Sequence, residues 1–167
     1  MKTTFFILVI IFFCNLITYS QENKTETTNQ RAQCVFGELG GNGLMFSANY
    51  DIRFAKKQNG FGGRAGLGFF TSIFGSGVTF PLGVNYLLGK RSSYLEAGLG
   101  VTIANFTDSD LFRDLLEGQT SAAFVPSLGY RYQPLSKGFT GRIFVSPFIF
   151  TEGGAEFWAG LSAGYKF

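Results

Sequence analysis

The sequence contains no histidine. Imidazole zinc sites, Ser-His-Asp triads and histidine general bases are therefore excluded. Cysteine is scarce: Cys14 and Cys34 are the only two, too few for a disulfide framework. Charged residues make up 15% of the chain, against roughly a quarter in an ordinary soluble domain. No run after residue 20 is long and apolar enough for a membrane-spanning helix. Disorder of the body is excluded as well, because 46% of residues are hydrophobic and the net charge is only +3. What is abundant is glycine, with 23 residues, and phenylalanine, with 21. That combination favours strands over helices.

The first twenty residues read as an address. Lys2 supplies a positive start, Phe5 to Ile17 is an apolar run broken only by Asn15, and Thr18-Tyr19-Ser20 offers a small residue at the exit. Residues 1–20 are expected to be a signal peptide cleaved after Ser20. Cys14 follows Ile11-Phe12-Phe13, which lacks the small residues of a lipoprotein signal. Residues 21–30, from Gln21 to Gln30, are polar and read as a disordered leader. In an exported chain Cys34 then stands alone, and reads as a small apolar side chain on a strand.

From residue 31 onward the hydrophobic pattern has period two. Phe157, Ala159, Leu161, Ala163, Tyr165 and Phe167 share one parity; Trp158, Gly160, Ser162, Gly164 and Lys166 share the other. Similar runs start near Leu44, Phe61, Val78, Tyr94, Ala123 and Phe139, and a less regular one spans about Arg31 to Gly40. On the run from Phe139, Phe144, Phe148 and Phe150 interrupt the polar face. Eight strands of roughly 10–12 residues are expected, the length of a bilayer crossing. Their polar faces are glycine-rich and lightly charged, as a narrow barrel lumen requires.

The connections alternate in charge. Ala55 to Gly60, Gly89 to Ser92 and Pro134 to Gly138 carry Lys56, Lys57, Lys90, Arg91 and Lys137, with no acid. Gly40 to Gly43, Ser72 to Gly77, Phe106 to Thr120 and Thr151 to Glu156 carry Asp108, Asp110, Asp114, Glu117, Glu152 and Glu156, with Arg113 the only base. Short turns at one end and a longer loop at the other suit an outer-membrane barrel, and an even strand count puts both termini at the short-turn, periplasmic end. Tyr50, Phe54, Phe61, Tyr86, Tyr94, Tyr130, Tyr132, Phe139, Tyr165 and Phe167 gather towards the short-turn end, as an aromatic girdle would. The fold expected is all-β: an eight-stranded antiparallel up-and-down transmembrane β-barrel over residues 31–167, behind a periplasmic leader.

Several stretches carry the resemblance to a family. They are Glu38-Leu-Gly-Gly-Asn-Gly-Leu44, Ser47-Ala-Asn-Tyr-Asp-Ile-Arg53, Pro81-Leu-Gly-Val-Asn-Tyr-Leu-Leu-Gly-Lys90, Leu95-Glu-Ala-Gly-Leu-Gly100 and the terminal Gly164-Tyr-Lys-Phe167. In order and spacing they resemble small outer-membrane β-barrels of the OmpX/OmpA-transmembrane type, especially versions common in Bacteroidota. The resemblance implies a fold and a location in the bacterial outer membrane, and no well-defined activity. It also implies that Tyr165 and the final Phe167 form the insertion signal read by the outer-membrane assembly machinery. Outer-membrane lipid and lipopolysaccharide would be the other partners.

Candidate chemistry is sparse. The acidic loop from Asn105 to Thr120 lacks the central glycine and ligand spacing of a calcium loop; it reads better as a short amphipathic helix from Thr107 to Gly118. Gly40-Gly41-Asn42-Gly43 is not a phosphate cradle and reads as a tight turn. No paired carboxylates are placed for catalysis, so no enzyme, cofactor or metal site is expected. The dispersed bases give no nucleic-acid footprint. One constellation stands out. Asp51, Arg53, Arg64, Glu96, Arg131 and Arg142 share the inward parity of their strands and lie near the short turns. They are expected to close the lumen as a salt-bridged layer, with Glu96 and Arg131 the first pair, and with Gly62, Gly66, Gly98 and Gly129 leaving them room. Counting from its own turn puts Glu38 at the opposite end. The function expected is a non-enzymatic outer-membrane barrel, structural or adhesive, with a side-chain-filled lumen. The alternatives are an accessory component of an envelope secretion or assembly system, or a narrow solute or ligand channel.

Overall fold

The structure is a computed structural model that describes residues 31–72, 75–107, 120–151 and 153–167. The expected signal peptide, leader and loop helix lie outside the described residues, as does every acid of the second set of connections except Glu156.

Eight strands run in sequence order: β1 (Gln33–Gly40), β2 (Phe46–Arg53), β3 (Gly60–Ser72), β4 (Gly75–Lys90), β5 (Ser93–Thr107), β6 (Thr120–Tyr132), β7 (Gly138–Phe150) and β8 (Ala155–Lys166). Each pairs antiparallel with its neighbour, and β1 pairs with β8 to close the barrel. Closure leaves no sheet edge unpaired. Alternation then sorts the side chains. Val35, Tyr50, Phe61, Leu82, Leu99, Leu128, Ile143 and Leu161 point outward and are exposed, while Asn49, Thr79, Thr102 and Ser146 are buried inside. The exterior is apolar and the interior polar, the reverse of a soluble domain.

The strands are less uniform than expected. β1 and β2 have 8 residues each, whereas β4 has 16. The stretch Ser72 to Gly77, read as a connection, is mostly strand: β3 and β4 stay paired as far as Ser72 and Gly75.

Two further corrections concern direction. Tyr94 does not belong to an outer girdle; its side chain is buried, and its hydroxyl donates to the carbonyl of Arg91 at 2.5 Å. Its parity is that of Glu96, which already pointed inward. Gly40 to Gly43 is not a simple outer turn. Gly41–Gly43 forms a 3-10 turn that is buried inside the barrel. Gly43 carbonyl accepts from Thr79 Oγ1 at 3.0 Å, and Asn42 carbonyl from Thr102 Oγ1 at 2.7 Å. Gly40 (φ 68°) and Gly41 (φ 67°) adopt the left-handed conformation this inward fold needs. A Cβ on Gly41 would also collide with the Phe144 ring. Glycine is therefore required there twice over.

Candidate functional site

The register determines which inward side chains share a level. Starting from Glu38, one path of paired residues runs through Ser47, Gly68, Thr79 and Ala104 to Ser121 on β6. The other runs through Ser162 and Arg142 to Arg131, also on β6. The two paths meet the same strand at different residues, so the register climbs as it circles the barrel. This shear is what tilted strands in a closed barrel must produce.

The shear brings together the charges that the sequence nominated. Asp51, Arg53, Arg64, Glu96, Arg131 and Arg142 are all buried. Arg53 Nη2 donates to Asp51 Oδ1 at 2.7 Å, and its Nη1 to the carbonyl of Gly60 at 3.0 Å. Arg131 lies 3.3 Å from both Asp51 and Glu96. Arg142 Nη1 donates to Glu96 Oε1 at 2.8 Å. Asn85, not foreseen, joins the two halves. Its amide donates to Asp51 Oδ2 at 2.6 Å and to Glu96 Oε1 at 3.3 Å, and its carbonyl accepts from Arg53.

Glu38 is the residue whose expected position is corrected. It is fully buried within the same network, accepting from Arg142 Nη2 at 2.7 Å and pairing with Arg64 Nη1 at 3.5 Å. Counting from the nearest turn misled because β1 is short and the register is sheared. The direct register line from Glu38 passes through Ser162 to Arg142. Four guanidinium groups therefore face three carboxylates, and the paired charges offset much of their desolvation cost.

Two phenylalanines complete the layer. The Arg142 guanidinium carbon lies 4.8 Å from the Phe36 ring centre and 4.5 Å from that of Phe144. Phe144 thus covers a buried cation with its negative face rather than interrupting a polar surface. Of the four glycines expected to leave room for the charged side chains, only Gly62 does so. A Cβ on Gly62 would strike the Arg53 guanidinium, and one on Gly129 would strike Phe144. Gly66 and Gly98 instead accommodate Asn49 and Ser127.

Above this layer sits an apolar cluster of Ala123, Val125 and Phe148, packed by Leu44, Phe150 and Trp158. Below it, turns fold across the mouth. Gln58 Nε2 donates to Leu135 carbonyl at 3.1 Å, Gln133 Nε2 to Gln58 Oε1 at 3.2 Å, and Lys166 Nζ to the carbonyls of Pro134 and Leu135 at 2.8 and 2.7 Å. Cys34 is buried near Gln133, and among the described residues no disulfide involves it. Tyr165 and Phe167 lie on the outer face, with Phe167 N–H donating to Gln33 carbonyl at 3.1 Å across the seam. Among the described residues no group of acids and cysteines is placed to hold a metal ion.

No family model matches the chain, and no curated protein matches it. Among solved structures it is similar to the N-terminal beta-barrel domain of Pseudomonas aeruginosa OprF, at 16% identity and a TM-score of 0.59. The match covers 83% of this chain and 98% of that one. At that identity the likeness is one of fold: a closed barrel of the same kind.

Proposed function

We propose that the chain is a non-enzymatic outer-membrane β-barrel that serves as a structural or adhesive element, with its lumen closed by side chains. The observation that carries this is the inversion of polarity: an exterior of exposed Phe, Leu, Ile and Val around a buried ionic core. Such an exterior is costly in water and matched to lipid. In this reading residues 1–20 direct export, residues 21–30 form a periplasmic leader, and both termini face the periplasm. The strand ending in Tyr165 and Phe167 is read by the assembly machinery, and outer-membrane lipid and lipopolysaccharide surround the barrel. The ionic layer and the turns tied across the mouth argue against a solute channel.

Two measurements test the reading. Unboiled protein in detergent should migrate differently from boiled protein on a gel, because a closed barrel has no edge to fray. Planar bilayers containing the folded protein should show conductance near the baseline. Identical migration would remove the barrel in membranes, and a steady open channel would remove the closed lumen.

A further inference from the structure

The basic turns lie on one rim of the barrel, beside the strand ends that carry Tyr50, Phe54, Phe61, Tyr86 and Tyr130 on the outer face. Lys56, Lys57, Lys90, Arg91 and Lys137 are all exposed. Among the described residues none of them enters an ion pair; every pair lies in the lumen. The sequence places no carboxylate in these three turns. A group of exposed cations next to an apolar surface is complementary to a ligand that is anionic at one end and apolar at the other.

The surface between two of these turns has the shape for one. A groove of about 660 Å³ is lined by Phe54, Ala55, Lys57, Asn59, Gly60, Phe61 and Tyr86. Its floor is aromatic: Phe61 and Tyr86 meet edge to face, with ring centres 4.8 Å apart. Phe54 lies over Gly63, where a Cβ would come within 3.1 Å of its ring. Gly60, at φ 92°, has open space where a side chain would stand, and so keeps the groove unobstructed. The upper wall is polar, formed by Lys57 and Asn59. Asn59 Nδ2 reaches the carbonyl of Gly89 at 3.5 Å, which ties the β2–β3 turn to the β4–β5 turn carrying Lys90 and Arg91. The Tyr86 hydroxyl has no hydrogen-bond partner among the described residues. Apolar floor, hydroxyl donor and cationic rim thus follow one another along a single groove.

We infer that this groove binds an anionic phospholipid of the leaflet next to the basic rim. An acyl chain would lie against Phe54, Phe61 and Tyr86, and the phosphate would sit between Lys57, Asn59 and the Lys90-Arg91 turn. The occupant is a lipid rather than free phosphate, because three of the seven lining residues, Phe54, Phe61 and Tyr86, are aromatic and offer a small hydrated anion nothing. It carries net negative charge, because a zwitterionic headgroup would bring its own ammonium against the lysines. This rests on the membrane-spanning reading above.

The test is native mass spectrometry of the folded chain in detergent, titrated with phosphatidylglycerol, with phosphatidylethanolamine, and with phosphatidylglycerol plus excess inorganic phosphate. Phosphatidylglycerol should be retained in preference to phosphatidylethanolamine and should resist inorganic phosphate. Lys57→Gln should weaken its retention about fivefold, the effect of one cation at an anionic headgroup. Phe61→Ala should also weaken it, while Lys137→Gln, which removes the same charge away from the groove, should have a smaller effect. Equal retention of the two lipids overturns the inference, as does displacement by phosphate. So does Lys57→Gln behaving like Lys137→Gln in protein that still shows the boiling-dependent gel shift. A wild-type chain without that gel shift overturns the membrane reading itself, and the inference with it.

Discussion

Replacing Glu38 by Gln should destabilise the barrel more than replacing Glu96 by Gln, although Glu96 has the more obvious partners. Both substitutions keep shape and remove one buried charge. Glu96 sits between Arg131, at 3.3 Å, and Arg142, at 2.8 Å. When its charge is lost, Arg131 keeps Asp51 at 3.3 Å and Arg142 keeps Glu38 at 2.7 Å. The cost is then about 1–3 kcal/mol, that of imperfectly satisfied groups. Glu38 is different because, among the described residues, Arg64 has no other carboxylate within ion-pair distance. Its loss strands a guanidinium at a buried position, and breaking a buried pair from one side costs about 3–5 kcal/mol. Adding Arg64→Met should restore part of the loss, since the stranded charge is then gone. The assay is urea unfolding of barrels refolded into lipid vesicles, followed by the fluorescence of Trp158, the only tryptophan, and by the gel shift. At a slope of about 2 kcal/mol/M the Glu38→Gln midpoint should fall by about 2 M. Equal midpoints for the two single variants, or a double variant as weak as the sum of its parts, would refute this account of the network.

Three further outcomes follow from the same geometry. Gly41→Ala should lower stability by about 2 kcal/mol or more, because the methyl group meets the Phe144 ring at a left-handed backbone position; the urea midpoint reads it. Phe167→Ala should slow assembly into vesicles while shifting the urea midpoint little, if the terminal residue is recognised during insertion; a normal assembly rate would contradict that role. Cys34, 1% exposed, should resist maleimide in the folded barrel and react fully after boiling in detergent, when the label is measured by mass.

The fold was legible because a barrel wall has a strict period. Each strand of β2 through β8 shows outer and inner sets in the sequence, and each glycine-rich inner set marks a narrow lumen. Parity also identified which charges face inward, and it nominated Glu96 with Arg131, whose side chains do meet. Parity was equally decisive for Tyr94, whose inward position the girdle assignment overrode. The Phe144 interruption was visible as a break in the pattern, and alternation already sets Arg142, two residues earlier, on the same face; what the local sequence does not record is that Phe36, from the far side of the β1–β8 seam, lies against the same guanidinium.

What the sequence determined by itself is therefore the wall: the number of strands, their order, and the face each residue takes. Those are local properties, fixed by alternation and by the turns between runs. What only the tertiary structure decided is height. The strands tilt and the register climbs around the barrel, so two residues equally far from their own turns can lie at different levels. That is why Glu38 joins Arg64 and Arg142 despite belonging, by counting, to the other end. It is also why Gly41–Gly43 can fold inward to meet Thr79 and Thr102. Shear is a closure condition on all eight strands at once, and no single strand records it.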